Sequence, residues 1–163
     1  MSSVNPEFAG KTYPPGPVHV VSATKIAEFA RATGASSSIH TDPKAAARAG
    51  YRNVVAPPTF LVSLAQATEA QYIEDPQAGI DFSRVVHGEE AFVLHRAVMA
   101  NDRLVPTLTV ERIREAGGHA MITTRVDVRT EAGEDVATVR SGIVVRGEES
   151  PERTTSERTE DAQ

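Results

Sequence analysis

The chain has no cysteine and no tryptophan among its 163 residues. Without thiols there is no disulfide framework, no thiolate zinc site and no cysteine nucleophile, so packing alone must hold the fold. It also lacks an excess of positive charge, with 17 Lys and Arg against 22 Asp and Glu and a formal net charge of −5. The basic residues are scattered singly, whereas a nucleic-acid partner needs a basic face to displace phosphate counterions. No nucleic-acid partner is expected. No apolar run approaches the roughly 18 residues that span a membrane, and the basic-then-apolar opening of a secretory leader is missing. The expectation is a cytoplasmic protein with no membrane partner. The five histidines, His19, His40, His87, His95 and His119, show no HxxxH or HExxH spacing, so no metal site is expected.

What is present reads as one domain over residues 1–146, followed by a polar tail over 147–163 with no large apolar residue, whose composition predicts disorder. The opening, Met1 to Gly16, mixes Ser, Gly and Pro and favours turns; Val18 to Val20 suggests a short strand. Ser22 is an N-cap for a helix carrying Ile26, Phe29 and Ala30, and Gly34 stops it. Asp42 and Pro43 open a second short helix ending at Gly50. The run from Phe60 to about Tyr72 places Phe60, Leu61, Val62, Leu64, Ala65 and Ala67 around nearly the whole circumference, which predicts a helix buried on most sides. Everything after it reads as strand: Arg84 to Val98, Leu104 to Ile113, Met121 to Thr130 and Val136 to Val145, separated by turns at Asn101-Asp102, Gly117-Gly118 and Ala132-Gly133. Helices are not interspersed between these strands, so a doubly wound α/β protein is excluded. The economical arrangement is α+β, an antiparallel sheet wrapped around one long central helix.

The stretch Thr33 to Phe60 carries more than architecture. It contains Gly34, Ala35, Ser36, Ser37, Ser38, Ile39 and His40, then Ala45 to Ala47, Gly50-Tyr51 and Pro57-Pro58. This resembles the active-site segment of MaoC-like acyl-thioester hydratases and dehydratases, whose pattern is close to G-D-x-N-P-x-H, an alanine-rich turn of helix and a His-Gly pair opening the central helix. The segment from Val85 through His87-Gly88-Glu89-Glu90 and Phe92 to His95-Arg96, with Ala100-Asn101-Asp102-Arg103-Leu104 after it, resembles the same family. Within it the chain is most similar to the non-catalytic subunit type of (3R)-hydroxyacyl-carrier-protein dehydratase. The resemblance implies the hot-dog fold, acyl-CoA or acyl-carrier-protein as ligand, no cofactor, and a second hot-dog subunit as partner in a homodimer or heterodimer.

The same resemblance implies His40 as the catalytic base, with Tyr51, Pro57, Pro58, Thr59, Phe60, His87 and His95 as candidates for binding substrate. An imidazole suits proton abstraction near neutral pH. The family's Asp partner is Ala35 here, and the helix-start Gly whose N–H polarises the thioester carbonyl is Pro58, which has no N–H. Thr59 and Phe60 offer the nearest remaining amides. The resemblance therefore implies a subunit in the dehydration of 3-hydroxyacyl thioesters in fatty-acid or polyketide assembly that shapes the acyl site while its partner supplies the dyad. Two alternatives stay open: a homodimeric enoyl-CoA hydratase or thioesterase using His40, and a non-enzymatic acyl-binding protein. A thioesterase of this fold would use a carboxylate on the central helix, where Glu69 stands, although a lone Glu late in an alanine-rich helix is expected to be solvated.

Overall fold

The computed structural model describes residues 4–147; apart from Gly147, the tail expectation concerns residues outside the described range. Strand β1 (His19–Val20) leads into α1 (Ala23–Thr33) and α2 (Pro43–Arg48), then into α3 (Val62–Ile73). The strands β2 (Val85–Leu94), β3 (Arg103–Ala116), β4 (His119–Thr130) and β5 (Asp135–Val145) follow. All pairings are antiparallel, in the order β1-β3-β4-β5-β2. Strands β3, β4 and β5 form successive hairpins, and β2 lies along the free side of β5.

The local signals explain the helix ends. The Ser22 side chain accepts from the Lys25 N–H at 3.3 Å, and Gly34 closes α1 at φ 71, a left-handed conformation open to glycine. Asp42 caps α2 by accepting from the Lys44 N–H at 2.8 Å, with Pro43 in the first turn. Helix α3 begins two residues later than its apolar run suggests. Pro57 and Pro58 impose a turn that closes when the Phe60 N–H donates to the Pro57 carbonyl at 2.9 Å, and regular helix starts only past it.

Helix α3 packs on β3 and β4. The alternation along β4 buries Ala120, Ile122, Thr124, Val126 and Val128 on the helix side, and Leu104, Leu108 and Val110 of β3 join them. This is the hot-dog arrangement, an antiparallel sheet curled around a central helix. One expectation is corrected: α3 is not buried on most sides of this chain. Leu61, Ala65, Thr68, Glu69 and Tyr72 form its buried face, while Ser63, Gln66 and Ala67 are exposed. A run rich in Ala and Leu does not define a face by itself, because small apolar residues are tolerated on either side.

Tyr72 is the largest fully buried side chain among the described residues. Its ring lies 5.7 Å from that of Phe8 and 6.4 Å from that of Tyr13, which fastens the N-terminal segment to the far end of α3.

Candidate functional site

His40 sits in a short 3₁₀ turn, Ser38–His40, between α1 and α2, and is 7 % exposed. Its Nδ1 lies 2.6 Å from the Val55 carbonyl oxygen. A carbonyl only accepts, so Nδ1 carries the hydrogen and the neutral ring keeps its lone pair on Nε2. The Val55 N–H in turn donates to the Ile39 carbonyl at 3.0 Å, so the two segments hold each other in register. The backbone thus does for the imidazole what a carboxylate partner would do in fixing tautomer and orientation, without supplying negative charge to stabilise an imidazolium. Asp42, the acid nearest in sequence, is occupied in capping α2.

The ring lines a cavity of about 400 Å³ at the N-terminal end of α3, together with Tyr51, Pro57, Pro58, Leu61 and Arg96. The structure therefore gathers four of the sequence candidates, His40, Tyr51, Pro57 and Pro58, around one space. The other four stand elsewhere. Thr59 is exposed beside the turn, and Phe60 is buried edge-on against Phe29 at 5.6 Å between ring centres. The Phe60 amide is spent on Pro57, so it has no free donor for a carbonyl. His95 is exposed near the Thr138 hydroxyl at 3.4 Å, and His87 lines a different cavity.

Arg96 is a cavity residue that sequence reasoning passed over. Its guanidinium donates to Asp102 at 2.8 and 3.2 Å and to Glu134 at 3.0 Å, and these bonds raise its pKa further, the Asp102 bond foremost. Asp102, 3 % exposed, also accepts from the Met99 N–H at 2.8 Å and from Arg52. A buried carboxylate is sustained only by such charged and amide donors. The signal for it was the Ala100-Asn101-Asp102 turn, where Asn101 adopts φ 71; Asn tolerates that left-handed conformation better than most residues.

The expectation of a solvated Glu69 is also corrected. It is 1 % exposed, and the Thr124 hydroxyl donates to its Oε1 at 2.6 Å. The turn of α3 that buries Tyr72 and Ala65 also carries Glu69 inward, a placement that no local sequence feature reveals.

A family model described as "FAS1-like, dehydratase domain region" matches residues 8–139. A UPF0336 protein of Leifsonia xyli is 45% identical over 149 residues, which is 91% of this chain and 100% of that protein. Among solved structures, the C-terminally truncated HadBC (3R)-hydroxyacyl-ACP dehydratase complex of Mycobacterium tuberculosis contains a chain similar at TM-score 0.76 and 27% identity, covering 84% of this chain and 96% of that one. A protein titled MaoC-like dehydratase gives TM-score 0.79 and 31% identity over 86% of this chain and 42% of its own longer chain. No helix among the described residues is long and apolar enough to cross a membrane.

Proposed function

Because the chain belongs to the FAS1-like dehydratase-region family of MaoC-like hot-dog proteins, we propose that it is the acyl-binding, non-catalytic subunit of a (3R)-hydroxyacyl-thioester dehydratase. The observation that carries this reading is the state of His40. Its Nδ1 is bonded to a backbone carbonyl, position 35 holds Ala in place of an acid, and Pro58 has no N–H at the helix start. Acid–base catalysis here requires both a charge-stabilised imidazole and a donor to the developing oxyanion. Each loss costs on the order of a hundred-fold in rate, and together they leave the chain close to background.

The cavity beside His40 suits the thioester end of an acyl-CoA or acyl-carrier-protein, with Tyr51 and Leu61 giving apolar contact and the prolines a rigid wall. Strand β2 is the long edge strand of the sheet, and Val86, Val93 and Leu94 on it are exposed, as is Phe82 just before it. An unpaired edge flanked by exposed apolar side chains is a template for strand addition. It is the surface on which we place a second hot-dog subunit, the same chain or a dyad-bearing relative.

The test is hydration of a crotonyl-type thioester by the purified chain, alone and mixed with a hot-dog subunit carrying an intact G-D-x-N-P-x-H. Near-background turnover alone and activity in the mixture are expected. Rapid turnover by the chain alone that vanishes in His40→Ala would overturn the non-catalytic reading in favour of a homodimeric hydratase.

A further inference from the structure

The cavity at the N-terminal end of α3 is lined by apolar side chains apart from those of His40, Tyr51 and Arg96. Its wall has few main-chain donors to spare. The Val55 N–H bonds the Ile39 carbonyl at 3.0 Å, the Ala56 N–H bonds the Val98 carbonyl at 2.8 Å, and Pro57 and Pro58 have none to give. The polar character of any bound ligand is therefore decided by those side chains.

Two of them have a fixed polarity. Because Nδ1 of His40 gives its hydrogen to the Val55 carbonyl, Nε2 of the neutral ring is an acceptor, and no donor among the described residues reaches it. Arg96 is the reverse, a donor with no lone pair to offer. Its Nε hydrogen goes to Glu134, its Nη1 hydrogens go to the Ala97 carbonyl and Asp102, and one Nη2 hydrogen goes to Asp102. The other Nη2 hydrogen has no partner among the described residues. The Tyr51 hydroxyl, without a hydrogen bond to any described residue, donates or accepts as a ligand requires.

An acyl thioester brings an acceptor, its carbonyl, whatever the rest of the acyl group contains. The donor that suits Nε2 is a different matter. A hydroxyl at C3 of the acyl group supplies it, whereas the double bond left after loss of water carries no O–H. Entry of the unsaturated group would strip water from Nε2 of a ring that is only 7 % exposed and give nothing in return.

We propose that His40 is a specificity-determining binding residue: it accepts a hydrogen bond from the 3-hydroxyl of a 3-hydroxyacyl thioester whose carbonyl is met by Arg96, so that this chain holds the hydroxylated acyl group and releases the unsaturated one. This role rests on the thioester reading of the cavity, and it needs no carboxylate partner, because accepting a hydrogen bond creates no imidazolium.

The experiment is isothermal titration of the full chain at neutral pH with the pantetheine thioesters of (3R)-3-hydroxybutyrate, butyrate, crotonate and 3-oxobutyrate. Turnover by the chain alone is expected near background, so the ligands persist. The 3-hydroxy thioester should bind about ten-fold or more tightly than the butyryl and crotonyl ones, and the 3-oxo thioester, whose C3 oxygen only accepts, should do no better than butyryl. His40→Leu should erase the advantage of the hydroxyl while leaving butyryl binding within about three-fold. Equal binding of the butyryl and 3-hydroxy ligands, or an advantage that survives in His40→Leu, would overturn this role and leave the thioester site standing. A 3-oxo ligand as tight as the 3-hydroxy one would show that Nε2 donates, which overturns the role as well. No binding by any ligand would overturn both the role and the thioester reading. Where His40→Leu fails to fold by circular dichroism, the order of the ligands on the parent chain decides.

Discussion

At the start of α3 the buried polar group, His40, has Nδ1 tied to the Val55 carbonyl at 2.6 Å, whereas on a later turn of the same helix Glu69 keeps its Oε2 without a partner. The first region is closed by its own backbone. The second gathers Glu69, Thr124, Ser141 and Glu90 close together and bonds them only in part. The difference teaches that burial alone does not identify a site. His40 is buried and orientated but lacks a charged partner, while Glu69 is buried with Oε1 bonded to Thr124 and Oε2 unbonded, and an unbonded buried carboxylate oxygen is costly to the folded chain by itself.

The largest test of this contrast removes the aromatic anchor beside the glutamates. Tyr72→Ala deletes a fully buried ring packed on Phe8 and Tyr13 and should lower unfolding free energy by about 3–5 kcal/mol, read from the urea midpoint. A loss as small as that expected for His40→Ala would mean that the second region tolerates collapse and is not a built cavity. His40→Ala itself should cost about 1–3 kcal/mol, because the Val55 carbonyl is left buried without its donor. A neutral result there would show that water replaces the imidazole and that the first region is open.

The third test uses pH. Burial holds the Glu90 pKa above its ordinary value, opposed by a hydrogen bond with Ser141, with the charge of Glu69 adding to the rise and His87 to the opposition. A carboxyl whose folded pKa is raised favours folding while protonated. Its contribution is complete below the unfolded value of about 4.3 and is lost as pH rises through the raised folded value. Glu90→Gln, which cannot ionise, should therefore raise the melting temperature at pH 7–8 by about 2–4 °C, a shift that corresponds to roughly 1 kcal/mol in a chain of this size. It should change little near pH 4. The reverse pattern would mean that the contacts with Ser141 and His87 outweigh burial. The smallest effect is expected at the other end of the helix, where Pro58→Ala should alter stability by less than about 1 kcal/mol while restoring an N–H at the helix start. A measurable rise in thioester hydration over the parent chain would identify that amide as the missing donor.

Much of the fold was legible before any coordinates. Ser22, Gly34, Asp42 and Pro43 mark helix ends by side-chain and backbone chemistry that acts within a few residues, and the structure uses them as such. The alternation of Ile122, Thr124, Val126 and Val128 gave the buried face of β4 directly. The start of α3 was misjudged by two residues because the Pro57-Pro58 turn consumes Phe60 and Leu61. The candidate residues proved harder. His40, Tyr51, Pro57 and Pro58 lie within one continuous stretch of chain and converge, but His87 lies on a distant strand, β2, whose bulge determines which side it meets, and His95 lies just past that strand's end. Arg96 and Asp102 were visible as letters and not as a linked pair.

The sequence by itself determined the class of elements, their order, the helix caps, and that position 35 carries no carboxylate and position 58 no N–H. Each of these follows from local backbone chemistry or from the identity of one side chain. Only the tertiary structure decided that Glu69 is buried, that Glu90, Ser141 and Thr124 form one row across three strands, and that His87 lines a cavity with Glu69 and not with His40. Those facts depend on which residues face one another across strands far apart in the chain. Strand register and the rotation of α3 are set by the packing of the whole core.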